Sequence, residues 1–291
     1  MIKWPPDLVQ DLARRRAVVV IGAGVSMNSA NNHGVRPKDW AATLRHLIGL
    51  IQGPEALRKS LRALVGNGDY LTACDVIRSA LGQNAFCDAL RAEFLTPNFI
   101  PAPIHKHIEQ IDSRIVITPN FDKIYETHVM TQQKAVVVKT YADRDLTEIV
   151  RTAQRVILKI HGSIDSPAEM IFTREDYASA RVKYRACYDL LSALILTHTF
   201  VFVGCGVADP DIALVLEDYA FSNVYGRHHY MVASRGAFLR PQIQAVYEKS
   251  RNLRVLNYSP INGHQELTDS LEELSKQVFA ERAHLTSNLN W

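Results

Sequence analysis

Four stretches of this 291-residue chain place small or polar residues directly behind apolar, β-branched runs. Gly22-Ala23-Gly24-Val25-Ser26 follows Val18–Ile21, and Pro119-Asn120-Phe121-Asp122 follows Ile115–Thr118. His161-Gly162-Ser163-Ile164-Asp165 follows Val156–Ile160, and Gly204-Cys205-Gly206-Val207-Ala208-Asp209-Pro210-Asp211 follows Phe200–Val203. Such apolar runs read as strands buried on both faces. In an open α/β sheet, ligands bind beyond the carboxyl ends of the strands, so four such ends together point to one shared cleft. Glycines behind the first strand let backbone N–H groups approach a phosphate, because no Cβ stands in the way. An ordinary strand-to-helix turn is the competing reading, since the dinucleotide fingerprint asks for Gly or Ala where Met27 stands. An Asn amide donates and accepts at once, and an imidazole, with an ordinary pKa of about 6.5, suits proton transfer. Asn-x-Asp is also a turn pattern, and a histidine at a strand end is also a structural residue. Asp209, before Pro210, reads equally as a helix cap or a ligand contact.

The elements that must position these residues alternate along the chain. Pro6–Arg16 reads as a short amphipathic helix and Ala17–Ile21 as the first strand. Polar Asn28–Gly34 is a loop of the kind that covers a ligand. From Pro37 to about Ile111 the apolar spacing is helical: Trp40, Leu44, Leu47, Ile48 and Ile51 form one stripe, and Ile104, Ile108 and Ile111 the last. A helical insertion between the first and second strands follows. It disfavours an ordinary dehydrogenase, because Arg45 and His46 stand where that fold has an acidic residue at a strand end. Further strands are expected at 114–118, 135–139, 155–160, 199–203, 229–233 and 253–256. Tyr177–Leu196 reads as one helix and His264–Arg282 as the terminal one. The predicted fold is a Rossmann-like, doubly wound, mainly parallel α/β sheet: one domain over 1–291 carrying a helical insertion at 37–111.

Composition narrows the function. A hydrophobic share of 47% and a charged share of 22% suit a globular protein, and a formal charge of +3 gives no argument for nucleic acid or a membrane surface. Arg14-Arg15-Arg16 fits a solvated helix end. The four cysteines, Cys74, Cys87, Cys187 and Cys205, form no C-x-x-C pair, which argues against a zinc ribbon and a disulfide framework. His105-Lys-His107 and His228-His229 lack partners at ligand spacing, so no metal is expected. No signal-peptide pattern and no membrane-length apolar run are seen, and a cytoplasmic protein is expected.

Taken in order, Gly22–Ser26, Thr118–Asp122, Lys159–Asp165 and Val203–Ile212 resemble the sirtuin family. They look most like its bacterial antiphage-defence branch, whose members cleave NAD. Phe172-Thr-Arg-Glu-Asp-Tyr177 adds to the likeness, which runs from about residue 10 to about 275. The resemblance implies that Gly22, Ala23, Gly24 and Ser26 line the NAD phosphates and nearby ribose. It implies that Asn120 holds the nicotinamide ribose and the attacking water, that Asp122 supports that loop or the nicotinamide side, and that His161 is the catalytic histidine. Gly204, Cys205 and Gly206 would approach the phosphates or adenosine from another strand end, and Asn257, just past the last strand, the adenosine ribose. Pro119 departs from the Thr or Gln of the family. The paired cysteines of the deacetylating members are missing, and Pro37-Lys-Asp-Trp40 is a distant echo of their Pro-Asp-Phe-Arg element; both argue against deacylation. The resemblance therefore implies an NAD glycohydrolase acting in abortive antiphage defence, with NAD as substrate and no zinc. It further implies homo-oligomerisation and an activating partner, a HerA-like ATPase or, second, a short Argonaute system. The alternatives are an NAD-dependent deacylase or ADP-ribosyltransferase, and an NAD- or ADP-ribose-binding scaffold without turnover.

Overall fold

Strand β1 (Ala17–Ile21) is buried along its whole length. Its side chains enter two cores in alternation: Ala17, Val19 and Ile21 face one, and Val18 and Val20 the other. A strand covered on both faces has no polar side, which is why this run is apolar throughout. The computed structural model describes residues 1–132, 135–206, 209–223, 225–238 and 240–288. In it, β1 is the middle strand of a seven-stranded sheet completed by β2 (Ile115–Thr118), β3 (Val136–Thr140), β4 (Arg155–Lys159), β5 (Thr199–Val203), β6 (His229–Ser234) and β7 (Leu253–Tyr258). The order is β3-β4-β2-β1-β5-β6-β7, and every pairing is parallel. This is the Rossmann-like, doubly wound sheet expected. The chain builds outward from β1 on one side and returns to β5 on the other, so the crevice between these two strands is the topological switch point.

One face is covered by α1 (Pro6–Ala13), α7 (Pro103–Ile111), α8 (Ile124–Thr131) and α14 (Ile261–Ser287). The other is covered by α9 (Leu146–Arg151), α10 (Arg174–Lys183), α11 (Arg185–Thr197) and α12 (Pro210–Ser222), while α13 (Pro241–Arg251) links β6 to β7. Between β1 and β2, after the single turn α2 (Ala23–Ser26), come α3 (Trp40–Leu50), α4 (Glu55–Gly66), α5 (Tyr70–Leu81) and α6 (Gln83–Phe94). These four share a third core, which includes Leu44, Leu61, Ile77 and Phe86 and reaches Phe121 and Phe172 of the sheet's loops. The apolar stripe of α7 instead joins α1 and α14 on the sheet.

Three helix readings need correction. The span 177–196 is two helices, broken at Tyr184, whose ring packs edge-on against Tyr141 at 4.9 Å. No Gly or Pro marks that break, so the sequence hides it. Helix α1 stops at Ala13 because Arg15 takes a left-handed conformation (φ 56°) and pairs with Asp112 at 2.6 Å. The last helix runs on to Ser287, and left-handed Asn262, Gly263 and His264 interrupt its start. Among the described residues no helix is long and apolar enough to cross a membrane.

Two buried histidines act as structural acceptors. His105 Nδ1 accepts from the Ala102 N–H (3.1 Å), and His229 Nδ1 from the Phe200 N–H (3.1 Å). Burial is the main cause holding both pKa values down to about 4. The unfolded chain therefore binds more protons than the folded one between about pH 6.5 and 4, and stability is lost as pH falls through that window. Urea denaturation at pH 7 and pH 5 should show a loss on the order of 1–2 kcal/mol per ring at the lower pH. His229→Asn should flatten that dependence.

Candidate active site

The ends of β1 and β5 touch backbone to backbone. A Cβ on Gly22 would lie 2.5 Å from Gly204 O, and one on Gly204 (φ +63°) would lie 2.6 Å from Val25 N. The Gly24 N–H donates to Gly204 O at 3.0 Å. These glycines are thus required first by the meeting of two strand ends. The Gly24 amide is committed to Gly204, and Gly24 is not among the residues that line the cavity beside it.

That cavity has a volume of about 500 Å³ and lies at the carboxyl ends of β1, β2, β4 and β5. Its size is within the usual range of roughly 300–1,000 Å³ for small-molecule sites. Of the residues singled out from the sequence, Gly22, Ala23, Ser26, Asn120, Asp122, His161, Gly204, Cys205 and Gly206 all line it. Asn257 does not. It lies inside β7, which continues to Tyr258, and it is exposed on the outermost strand with β6 between it and β5. Val207 and Ala208, in the middle of the fourth motif, lie outside the described residues. The loop 28–34 does not cover the cavity either, because Ala30 is bridged to Ile100 and Asn31 Oδ1 accepts from the His33 and Val35 amides. The facing wall comes instead from the helical segment, with Pro37, Lys38, Trp40 and Phe94.

A hydrogen-bond chain fixes the loop after β2. Asn120 Nδ2 donates to Ser26 Oγ (3.0 Å), and Ser26 Oγ donates to Asp122 Oδ2 (2.8 Å). Asp122 Oδ1 accepts from the Ile124 N–H at 3.0 Å, starting α8. Asp122 therefore supports the loop. Beneath it, Lys159 at the end of β4 is buried, donating to the Asp122 carbonyl and pairing with Glu126 Oε1 at 2.8 Å. Burial pushes the Glu126 carboxyl up, and the Lys159 charge opposes that shift.

His161, next but one to Lys159, is 3% exposed and packs edge-on against the Tyr177 ring at 5.0 Å. Its Nε2 lies 3.3 Å from Asp209 Oδ2 and 3.9 Å from Asp211 Oδ2. Asp209 caps α12, with Oδ1 accepting from the Asp211 (3.1 Å) and Ile212 (3.0 Å) amides, while Oδ2 accepts from Tyr177 OH (2.9 Å). Asp211 accepts from Arg181 Nε (2.7 Å) and Tyr188 OH (3.0 Å). Burial is the main cause raising the Asp211 pKa, with the Asp209 charge adding to it and the Arg181 hydrogen bond opposing it. Burial, then Asp209, keeps the Tyr177 phenol protonated well above its ordinary range. Burial likewise pushes the Cys205 thiol up, leaving it a small apolar wall. His161, Asp209 and Asp211 are close enough to share an ion. Their carboxylate oxygens already serve two tyrosines, the helix amides and the Arg181 cation, so the arrangement reads as a hydrogen-bond network rather than a metal cage. Sequence reading offered Asp209 as a helix cap or a ligand contact, and it does cap α12; that it also faces His161 was not visible in the Asp-Pro-Asp behind β5.

Fold and cleft together define a doubly wound α/β protein with a polar site at its switch point. Residues 114–256 match a family model described as a SIR2-like domain. The chain is 24% identical over 302 residues to an NAD(+) hydrolase ThsA of Bacillus cereus (strain MSX-D12), covering 97% of this chain and 58% of that protein. It is 25% identical over 213 residues to Defense-associated sirtuin 2 of Bacillus subtilis, covering 72% of this chain and 20% of that protein. A solved structure from work on the mechanism and regulation of Sir2 enzymes aligns with 94% of this chain and 97% of its own, at 14% identity and a TM-score of 0.46.

The buried strut under the Asn120 loop is testable. Lys159→Met leaves the Glu126 carboxylate buried without its partner and should cost about 3–5 kcal/mol in urea denaturation. Adding Glu126→Leu should restore most of that loss.

Proposed function

We propose that the chain hydrolyses NAD to nicotinamide and ADP-ribose, with Asn120 and His161 as its catalytic residues. The observation that carries this reading is the convergence of Asn120 and His161 on one cavity at the switch point, beside the Gly22–Gly204 contact. The name of the Bacillus cereus relative, an NAD(+) hydrolase, supports it. In the reaction the C1′–N bond breaks and its electron pair passes to the ring nitrogen, so nicotinamide leaves neutral. Water forms the new C1′–O bond and gives up its proton to His161. Asn120 is held through one amide hydrogen by Ser26. Its Oδ1 and second N–H make no hydrogen bond among the described residues, and they orient the ribose hydroxyl and the water. Ala23 and Gly206 take the phosphate side, and Trp40 and Phe94 close the cleft against bulk water.

The whole chain acts as one domain, with residues 37–111 as its helical insertion. NAD depletion in antiphage defence is the proposed role, supported by the name of the Bacillus subtilis relative. The protein acts in the cytoplasm as a homo-oligomer, and an activating partner, first a HerA-like ATPase and second a short Argonaute system, switches the enzyme on at infection.

Chromatography of NAD incubated with purified protein, alone and with the product of its neighbouring gene, tests this reading. Nicotinamide and ADP-ribose should form in equal amounts. Asn120→Ala and His161→Ala should each slow turnover by roughly 10²–10⁴-fold. Two folded variants as fast as the parent would overturn the site assignment. Tight NAD binding without turnover would identify a scaffold instead.

A further inference from the structure

We propose that Asp209 is a positioning residue that fixes the tautomer of His161, placing the ring proton on Nε2 and leaving Nδ1 as the nitrogen that accepts a proton. The role assigned to Nδ1 rests on the hydrolase reading; the tautomer itself does not.

The inference starts from burial. His161 Nε2 is fully buried and has no aligned hydrogen-bond partner among the described residues. Its nearest polar neighbours are two carboxylate oxygens, Asp209 Oδ2 at 3.3 Å and Asp211 Oδ2 at 3.9 Å. A buried lone pair facing two carboxylates is repelled, whereas an N–H there is attracted, so the neutral imidazole keeps its proton on that side. A carboxylate behind a histidine selects the tautomer in this way wherever the opposite ring nitrogen must act as base. His161 Nδ1 makes no hydrogen bond among the described residues, and the residue lines the cavity.

Asp209 is itself immobilised for the task. Its Oδ1 is tied to two amides at the start of α12, and its Oδ2 accepts from Tyr177 OH. The Tyr177 ring also lies edge-on to the imidazole at 5.0 Å, so one side chain restrains both the histidine and its carboxylate. Asp211, the second carboxylate, is counterbalanced by Arg181 at 2.7 Å and by Tyr188 OH at 3.0 Å. Asp209 is therefore the acid left to answer the ring N–H.

Asp209→Asn is the discriminating variant. It keeps a capping oxygen and the side-chain volume, but it presents an N–H to His161 Nε2 and so favours the opposite tautomer. Nitrogen-15 chemical shifts of His161 in the free protein should report Nε2–H in the parent and Nδ1–H in Asp209→Asn. Turnover of NAD should fall at least about 100-fold, as expected for a base held in the wrong tautomer. KM and the affinity for ADP-ribose should stay within about threefold, because Asp209, although it borders the cavity, is held by the α12 amides and Tyr177 and acts through His161. Asp209→Ser keeps the cap but removes both the His161 contact and the acceptor of Tyr177 OH, so it should also lose turnover, with stability reduced by no more than the loss of one hydrogen bond. In a His161→Ala background Asp209→Asn should cause no further loss.

An Nδ1–H tautomer in the parent overturns the proposal, as does parental turnover in Asp209→Asn. Parallel losses of affinity, melting temperature and turnover would also overturn it, by reducing Asp209 to a helix cap. A parent with the Nε2–H tautomer that binds NAD without turning it over would instead sink the hydrolase reading and leave the tautomer assignment standing.

Discussion

The carbonyl of Gly204 accepts from the amide of Gly24, and no side chain fits between the two strand ends that this bond joins. Much of the site depends on that contact. Strands β1 and β5 are paired in parallel up to Ile21 and Val203, and this contact carries their pairing on into the loops behind them. With the contact in place, Ser26 is set within reach of the loop after β2, and α12 starts close enough to β4 for Asp209 to face His161. Glycine is needed at these positions for packing before any ligand is considered, which makes the loop a weaker phosphate signature than its spelling suggests.

Two polar networks then divide the work. One is Asn120–Ser26–Asp122, resting on buried Lys159 and Glu126. The other is His161 with Asp209, Tyr177, Asp211 and Arg181. Both start from β4: Lys159 reaches under the first and His161 enters the second. Buried charges of this kind are costly unless paired, so their presence beneath a cavity favours fixed geometry over simple stability. The ring of Phe172 ties the arrangement to the helical insertion, lying 4.7 Å from Trp40 and 5.8 Å from Phe121. The insertion thereby becomes the far wall of the site.

The sheet was legible because buried parallel strands must be apolar on both faces, and such runs stand out against amphipathic helices. Strands β1 and β5 fall where their residues place them, and the helices between β1 and β2 are written in their stripes. The break at Tyr184 was not legible, since no Gly or Pro marks it and the ring it packs against, Tyr141, lies far away in the sequence. The same holds for Asn257: its residue type suits a ribose, but its strand is two places from β5 in the sheet.

By itself the sequence determined the element order, the buried strands and the polar residues that end them, because these follow from local periodicity and side-chain chemistry. Only the tertiary structure decided that Asn120 and His161 share a cavity, that Gly24 serves the strand contact, and that Asp209 stands behind the histidine. Those facts depend on strand order and on the direction of buried side chains, which arise from packing between segments far apart in the chain and leave no local signal.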